Sequence, residues 1–325
     1  MISKNLYSEA LIKPLQQGAN KLYIVSGYAS ATMASRHIKD ILDYSTDFKI
    51  SLIIGMCPID GLDTSTHNGF VNLMENSAGI DFECKYVCEN PAVHSKIYVW
   101  CKDDTPFMAF AGSANYTQPA FGSNRKEVLT LCEPEVAYKY YEEIEPNTIY
   151  CNHGEVEEHI IIKAKRYSPI RRTEEINESE IAEQQIQSTS GIPKVTLSLL
   201  ARDGEVGARS GLNWGQRPRR EPNQAYIPLP TNIVRSGFFP LNKTHFTVLT
   251  DDNKNIILRV EQQNYKAITT PLNNSLIGEY FRNRLGLANG QYVTRQDLER
   301  YGRTDVDFYK IDEETFYMDF SVNID

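Results

Sequence analysis

Over the first 150 positions, short β-branched apolar runs alternate with stretches of helical spacing. A helix is expected from Leu6 to Gln17, ended by Gly18. Strands follow at Leu22–Ser30 and Phe48–Met56, with a helix at Ser35–Tyr44 between them. A helix at Phe70–Gly79 precedes a strand at Asp81–Cys88. Two more strands, His94–Cys101 and Pro106–Ala114, flank the turn-forming Lys102-Asp103-Asp104-Thr105. Glu127–Glu133 is the last strand before a helix at Pro134–Ile144. Strands alternating with helices predict an α/β domain on a mixed sheet.

The pattern changes after residue 168. Residues 169–193 are polar and end in Ser/Thr/Gly/Pro, the composition of a linker. From Lys194 onward strands dominate: Lys194–Ala201, Ala225–Pro230, His245–Asp252, Asn255–Gln262, Asp307–Ile311 and Thr315–Ser321. Helices are expected at Ser275–Gly286 and Thr294–Gly302, the second opened by Thr294 with Asp297 three residues on, close to a capping box. The expected organisation is thus a domain at 1–168, a linker at 169–193 and a mainly β, barrel-like domain at 194–325. No internal repeat is visible.

Composition narrows the function classes. No run approaches 18 apolar residues, so a membrane span is not expected, and the start lacks a signal-peptide core, which makes the cytoplasm the expected location. The six cysteines all fall in the first half without a CxxC pair and read as small buried hydrophobes. A net charge of -8 argues against a uniformly basic nucleic-acid binder. Its distribution argues otherwise. Between Arg202 and Lys243 seven basic residues face three acidic ones.

The chemistry-bearing run lies at 94–127. Strand alternation would put His94 and Lys96 on one face. Gly112, Ser113 and Asn115 follow where apolar sheet gives way, and Glu127 opens the next strand. Around a phosphate these groups divide the work. Lys96 supplies charge, Ser113 and Asn115 supply donors, and Gly112 allows close backbone approach. His94 can attack phosphorus to form a phosphohistidine, and Glu127 can fix its tautomer. The carboxylate and histidine spacings suggest no metal and no other cofactor.

His94-Ser95-Lys96 followed by Ala111-Gly112-Ser113-Ala114-Asn115-Tyr116-Thr117 resembles the phospholipase D superfamily motif, over about residues 20 to 150. The superfamily's aspartate position is taken by Cys101, with Asp103 and Asp104 just after, which moves the chain away from the lipases and toward the nucleases. The resemblance implies His94 as nucleophile and Lys96, Ser113, Asn115 and Glu127 as the rest of the site. Only one such motif is present, so the resemblance also implies a homodimer in which two chains share one centre.

In the second half, Gly207–Pro230 interleaves arginines with polar side chains. Arg209, Ser210, Asn213, Trp214, Gln216, Arg217, Arg219 and Arg220 are candidates to contact DNA. Ser210–Arg217 and the Asn-x-x-x-Tyr-Ile-x-x-Pro spacing at Asn223–Pro230 resemble the B3-like DNA-binding domain of a gonococcal family of restriction endonucleases that cut GC-rich sites. That resemblance covers roughly 195 to 320 and implies a pseudobarrel whose two arms clasp the major groove. The first arm would run from Arg209 to Arg220, and the second would lie near Thr269–Ser275 with Asn273 and Asn274 as readers.

Together the two resemblances imply a type II restriction endonuclease acting on double-stranded DNA at a short GC-rich site. A separate cognate methyltransferase would protect host DNA. Two other readings stay open. One is a nuclease subunit with a separate ATP-dependent, helicase-like partner, since this chain has no P-loop. The other is a DNA-binding protein with a vestigial catalytic site. A phospholipase is disfavoured by Cys101 and by the basic second half.

Overall fold

In the computed structural model, which describes residues 1–122, 125–168, 184–188 and 191–322, the chain divides into two units, Met1–Ala164 and Lys165–Asp325. Lys21–Ser26 (β1) and Lys49–Ile54 (β2) bury almost every side chain, as strands covered on both faces must. They run parallel, with Ser26 level with Ile54. Leu62–Asp63 (β3) is a short strand outside the main sheet, and Asp81–Val87 (β4) extends the parallel set beside β2. Lys96–Lys102 (β5) lies antiparallel on the other side of β1. Thr105–Gly112 (β6) and Leu129–Cys132 (β7) continue antiparallel, and Thr148–Tyr150 (β8) closes the far edge against β4. The resulting mixed sheet has the order β7-β6-β5-β1-β2-β4-β8.

Helices cover both faces. Pro134–Ile144 buries Tyr141 and Ile144 against Val25, Ile53 and Val87. On the opposite face, Ala31–Ile41 places His37 edge-on to Trp100, and Thr64–Glu75 stacks Phe70 on Phe82. Each of these two helices has a side-chain N-cap: Ser30 Oγ accepts from the Met33 amide, and Asp63 Oδ1 accepts from the Thr66 amide. Both caps lie ahead of the starts expected from apolar spacing, at Ser35 and Phe70, because the first turns, residues 31–34 and 64–67, carry few large apolar side chains. His37 is a core residue. Its Nε2–H donates to the Leu11 carbonyl, so Nδ1 accepts from the Tyr116 hydroxyl at 2.9 Å, and burial lowers its pKa to about 4. All six cysteines are free thiols, with Cys57, Cys84, Cys101 and Cys151 buried.

Ile162–Ser168 (β9) pairs with β3, and Gln184–Ser188 (β10) falls within the expected linker, of which residues 169–183 and 189–190 lie outside the described set. The second unit is built on Lys194–Ser198 (β11), Ile227–Pro228 (β12), His245–Thr250 (β13), Asn255–Glu261 (β14), Ala267–Thr269 (β15), Asp305–Lys310 (β16) and Thr315–Asp319 (β17). Their order is β11-β16-β17-β13-β14-β15-β12. The end strands β11 and β12 approach each other, so the sheet curls into a nearly closed pseudobarrel. Its core is rich in phenylalanine, with Phe238, Phe239, Phe246, Phe308 and Phe316 in mutual ring contact. The expected capping box forms, with Thr294 and Asp297 bonding reciprocally. The strand expected over Ala225–Pro230 shrinks to Ile227–Pro228, since prolines at 228 and 230 remove ladder donors. Among the described residues, no helix is long and apolar enough to cross a membrane.

Candidate functional site

The sheet registers bring one set of strand ends together. Ser26, at the end of β1, pairs with Lys96, the first residue of β5, and Gly112, the last of β6, pairs with Leu129, the first of β7. Everything that follows β1 and β6, or precedes β5 and β7, therefore gathers at one end of the sheet, beyond the carboxyl ends of the parallel strands. His94, Lys96, Ser113, Asn115 and Glu127 all lie in those positions.

His94 is not on the strand. It sits in the approach to β5, exposed, whereas Lys96 is 6% exposed and shares the buried face of Tyr98 and Trp100. The two residues still come together, and Lys96 Nζ donates to the His94 carbonyl at 2.5 Å. Both side chains close over Gly27, where an added Cβ would come within 2.9 Å of His94 Cδ2 and 3.4 Å of Lys96 Nζ. Nearby, a Cβ on Gly55 would collide with the Val93 carbonyl, so the chain entering His94 also needs a glycine beneath it. Burial lowers the Lys96 pKa from the usual lysine range, with the Glu127 carboxylate pulling the other way.

Asn115 and Ser113 are held differently. Asn115 Oδ1 accepts from the Tyr28 amide at 3.1 Å, and among the described residues its NH2 group is the remaining donor end. Ser113 Oγ accepts from the Val128 amide at 3.1 Å and donates its single proton to Glu127 Oε2. The hydroxyl expected to serve a phosphate thus orients Glu127 here, and Glu127 bonds Ser113 rather than His94. Cys101 lies at the other end of β5, about 16 Å along the strand from Lys96 at ~3.3 Å per residue. Asp103 and Asp104 pair there with Asn20 and Lys21. None of the three is part of this cluster. Among the described residues, no group of three or more His, Cys, Asp or Glu side chains could hold a metal ion.

Sequence reasoning did not single out Tyr28, whose ring stands edge-to-face with His94 at 5.9 Å between centroids, or Asp60, which accepts from the Tyr28 hydroxyl at 2.6 Å. The expected strand runs through Ser30, whereas β1 ends at Ser26, and Tyr28 lies on the loop between. Gly27 between two polar-flanked runs was the available signal.

In the second unit, Gly211–Gln216 forms a tight helical turn instead of an open loop. It is anchored by Arg282, fully buried, which donates to the carbonyls of Gln291, Gly278, Leu212 and Pro222 at 2.7–3.4 Å. Asn213 belongs to the same anchor. It is buried, donates to the Val293 carbonyl at 2.7 Å and accepts from the Val293 amide at 2.8 Å. That removes it from the base readers, because neither end of its amide is free. Gln216 spends its NH2 on Pro222 and Gly290.

The arginines are exposed, as a reading arm requires. Arg217 donates to the Arg209 carbonyl, and Arg220 stacks on Trp214 at 4.0 Å and donates to Gln224. Arg219 occupies the turn tip with φ +65°. Ser210, half-buried, precedes the helical turn.

The second expected arm, near Thr269–Ser275, is part buried and part exposed. Thr269, Thr270 and Ser275 are buried and bonded to Glu261, Asn273 and Glu221. Asn274 buries its Oδ1, so it cannot present both amide ends to adenine. Asn273 is exposed but caps the Ser275 amide at 3.0 Å.

Two models of a single enzyme family match the chain in order. Residues 4–158 match the NgoFVII restriction endonuclease N-terminal PLD domain, and residues 187–312 match the NgoFVII C-terminal B3-like DNA-binding domain. The chain belongs to the NgoFVII restriction endonuclease family. As in that family, a phospholipase D-superfamily nuclease domain precedes a B3-like DNA-binding domain.

Among solved structures, the chain is similar to NucT from Helicobacter pylori, at 18% identity over 45% of this chain and 90% of that one, with a TM-score of 0.32. It is also similar to Nuc, a phospholipase D family member from Salmonella typhimurium, at 12% identity over 43% and 87%, with a TM-score of 0.34. A third is polyphosphate kinase from Porphyromonas gingivalis, at 11% identity over 48% and 25%, with a TM-score of 0.32. No curated protein matches the chain.

Proposed function

We propose that this NgoFVII-family chain is a site-specific, metal-independent endonuclease that hydrolyses DNA phosphodiester bonds through a phosphohistidine at His94. The observation that carries this reading is the exposed imidazole of His94 beside the buried ammonium of Lys96 and the remaining amide donor of Asn115. A phosphate placed against that group would meet two cationic or donor groups and one nucleophile.

The reaction runs in two displacements. A neutral His94 forms a P–N bond as a P–O bond of the backbone breaks, and the leaving oxygen takes a proton from a second imidazole. Water then adds to phosphorus and the P–N bond breaks, with its proton passing to that second base. One chain supplies one motif, so the second imidazole comes from His94 of a second copy, in a homodimer sharing the centre. Lys96 and Asn115 hold the non-bridging oxygens, and the Ser113–Glu127 pair fixes the loop that carries Asn115.

The arginine arm delivers this centre to a short GC-rich sequence. Guanine offers two major-groove acceptors that a guanidinium can bind in bidentate fashion. Host DNA is protected by a separate cognate methyltransferase. Digestion of phage DNA in EDTA, read by end-sequencing beside a His94→Ala control, tests the whole reading. Discrete fragments sharing one site, absent with the variant, are expected. Specific binding without cleavage would instead favour a nuclease subunit that waits for an ATP-dependent partner.

A further inference from the structure

Tyr28 is 42% exposed on the loop after β1, yet four contacts fix it. Its phenol donates to Asp60 Oδ2 at 2.6 Å, and its amide donates to Asn115 Oδ1 at 3.1 Å. Its carbonyl accepts from Ser26 Oγ at 2.6 Å, and that oxygen in turn accepts from the Tyr116 amide at 2.9 Å. Its ring stands edge-to-face with the His94 imidazole, centroids 5.9 Å apart and planes at 81°. Asp60 ends the short turn Cys57–Asp60, and its carbonyl receives Lys163 Nζ at 2.6 Å.

Core burial does not explain such a ring. An exposed tyrosine on a loop ordinarily samples several rotamers, and an exposed histidine before a strand does the same. Here the Asp60 carboxylate removes the first freedom and the tyrosine ring restricts the second. Gly27 is the floor under the imidazole and Tyr28 is its wall.

We propose that Tyr28, tethered by Asp60, is a positioning residue that holds the His94 imidazole in the orientation from which it attacks phosphorus. This rests on the nuclease reading of His94. Attack on phosphorus requires the nitrogen lone pair in line with the leaving oxygen, and misplacement by about 1 Å can cost about 10²-fold in rate. Tyr28 also orients the Asn115 amide, so a single residue aligns the nucleophile and a donor for the group it attacks.

The test uses the full-length chain and four variants at Tyr28 and Asp60, with His94→Ala for assignment. Tyr28→Phe and Asp60→Ala, which each cut the tether, should slow single-turnover cleavage about tenfold with DNA affinity unchanged. The double variant should fall no further than either alone. Tyr28→Ala should lose about 10²-fold. In parallel, the His94 side-chain carbon resonance, assigned by its disappearance in His94→Ala, should move in Tyr28→Ala and broaden in the two tether variants.

Wild-type rates in both tether variants would overturn the proposal. So would additive losses, or a loss confined to DNA affinity, which would make the ring a DNA contact instead. An unmoved His94 resonance in Tyr28→Ala overturns it independently of any cleavage. If the wild-type chain cuts no DNA, the resonance still decides the positioning claim, and only the nuclease reading falls.

Discussion

His94 and Arg219 are both exposed, both on loops, and both supported by a folded base, but the polar groups around them are arranged in opposite ways. Around His94 the neighbouring groups converge: Lys96 doubles back to its carbonyl, Asn115 accepts from the Tyr28 amide, and the Tyr28 ring stands against the imidazole. Around Arg219 the polar neighbours point inward. Asn213, Gln216 and Arg282 spend their hydrogen bonds on backbone carbonyls and amides, and the arginines are left outside on a rigid turn. Chemistry needs several groups converging on one atom within fractions of an ångström. Reading a groove needs a stiff platform from which a few long side chains reach a partner that supplies the rest of the geometry.

That contrast breaks most sharply at His94, the proposed nucleophile. His94→Ala should lower cleavage by on the order of 10⁴-fold or more while leaving DNA affinity intact, measured by single-turnover digestion beside a binding titration. Equal losses in both assays would mean that the two functions are not divided between the two regions.

Acid offers the next largest effect. The folded chain keeps His37 neutral down to about pH 4, whereas an unfolded histidine protonates near 6.5, so unfolding takes up a proton between those values. His37 therefore contributes fully above pH 6.5, and its contribution is lost as the pH falls to 4, a drop of roughly 3 kcal/mol. Hydrogen-exchange protection of β1 and β5 should follow that window. His37→Gln, which cannot titrate, should flatten it.

In the second region, Asn213→Ala strands the Val293 amide and carbonyl in a buried site, and a loss of about 2–3 kcal/mol in unfolding free energy is expected. A denaturant titration that found no change would show that Asn213 does not anchor the turn.

The smallest effects should separate the arginines. Arg220 is preorganised by Trp214 and Gln224, so Arg220→Ala should cost about 1–3 kcal/mol of discrimination between sites. Arg219, at the tip, should weaken all sequences alike and reduce the salt slope of binding by about one. Competition binding against single-base site variants would reveal any reversal of these roles.

How much of this was legible beforehand differs between the two halves. His94, Lys96, Ser113, Asn115 and Glu127 could be named from spacing because phosphate chemistry draws on few residue types, and the strand pattern around them was regular. The Ser113–Glu127 bond was not foreseeable, since a hydroxyl near a phosphate site reads as a donor whether or not a carboxylate takes its proton. Tyr28 escaped because the apolar run of β1 hides the point where the strand ends at Ser26. In the arm, arginine count and turn residues were legible, but Asn213 and Asn274 read like any other asparagine among arginines.

The order of apolar runs determined an α/β domain followed by a β domain, because the period of burial is written directly into residue order. The types of the candidate site residues were likewise set by the sequence. Which of those residues meet, and which polar side chains face outward, was decided by tertiary structure alone. Strand registers bring Ser26, Lys96, Gly112 and Leu129 to one end of a sheet from positions up to 103 residues apart, and an asparagine's environment depends on whichever distant backbone happens to need its two hydrogen bonds.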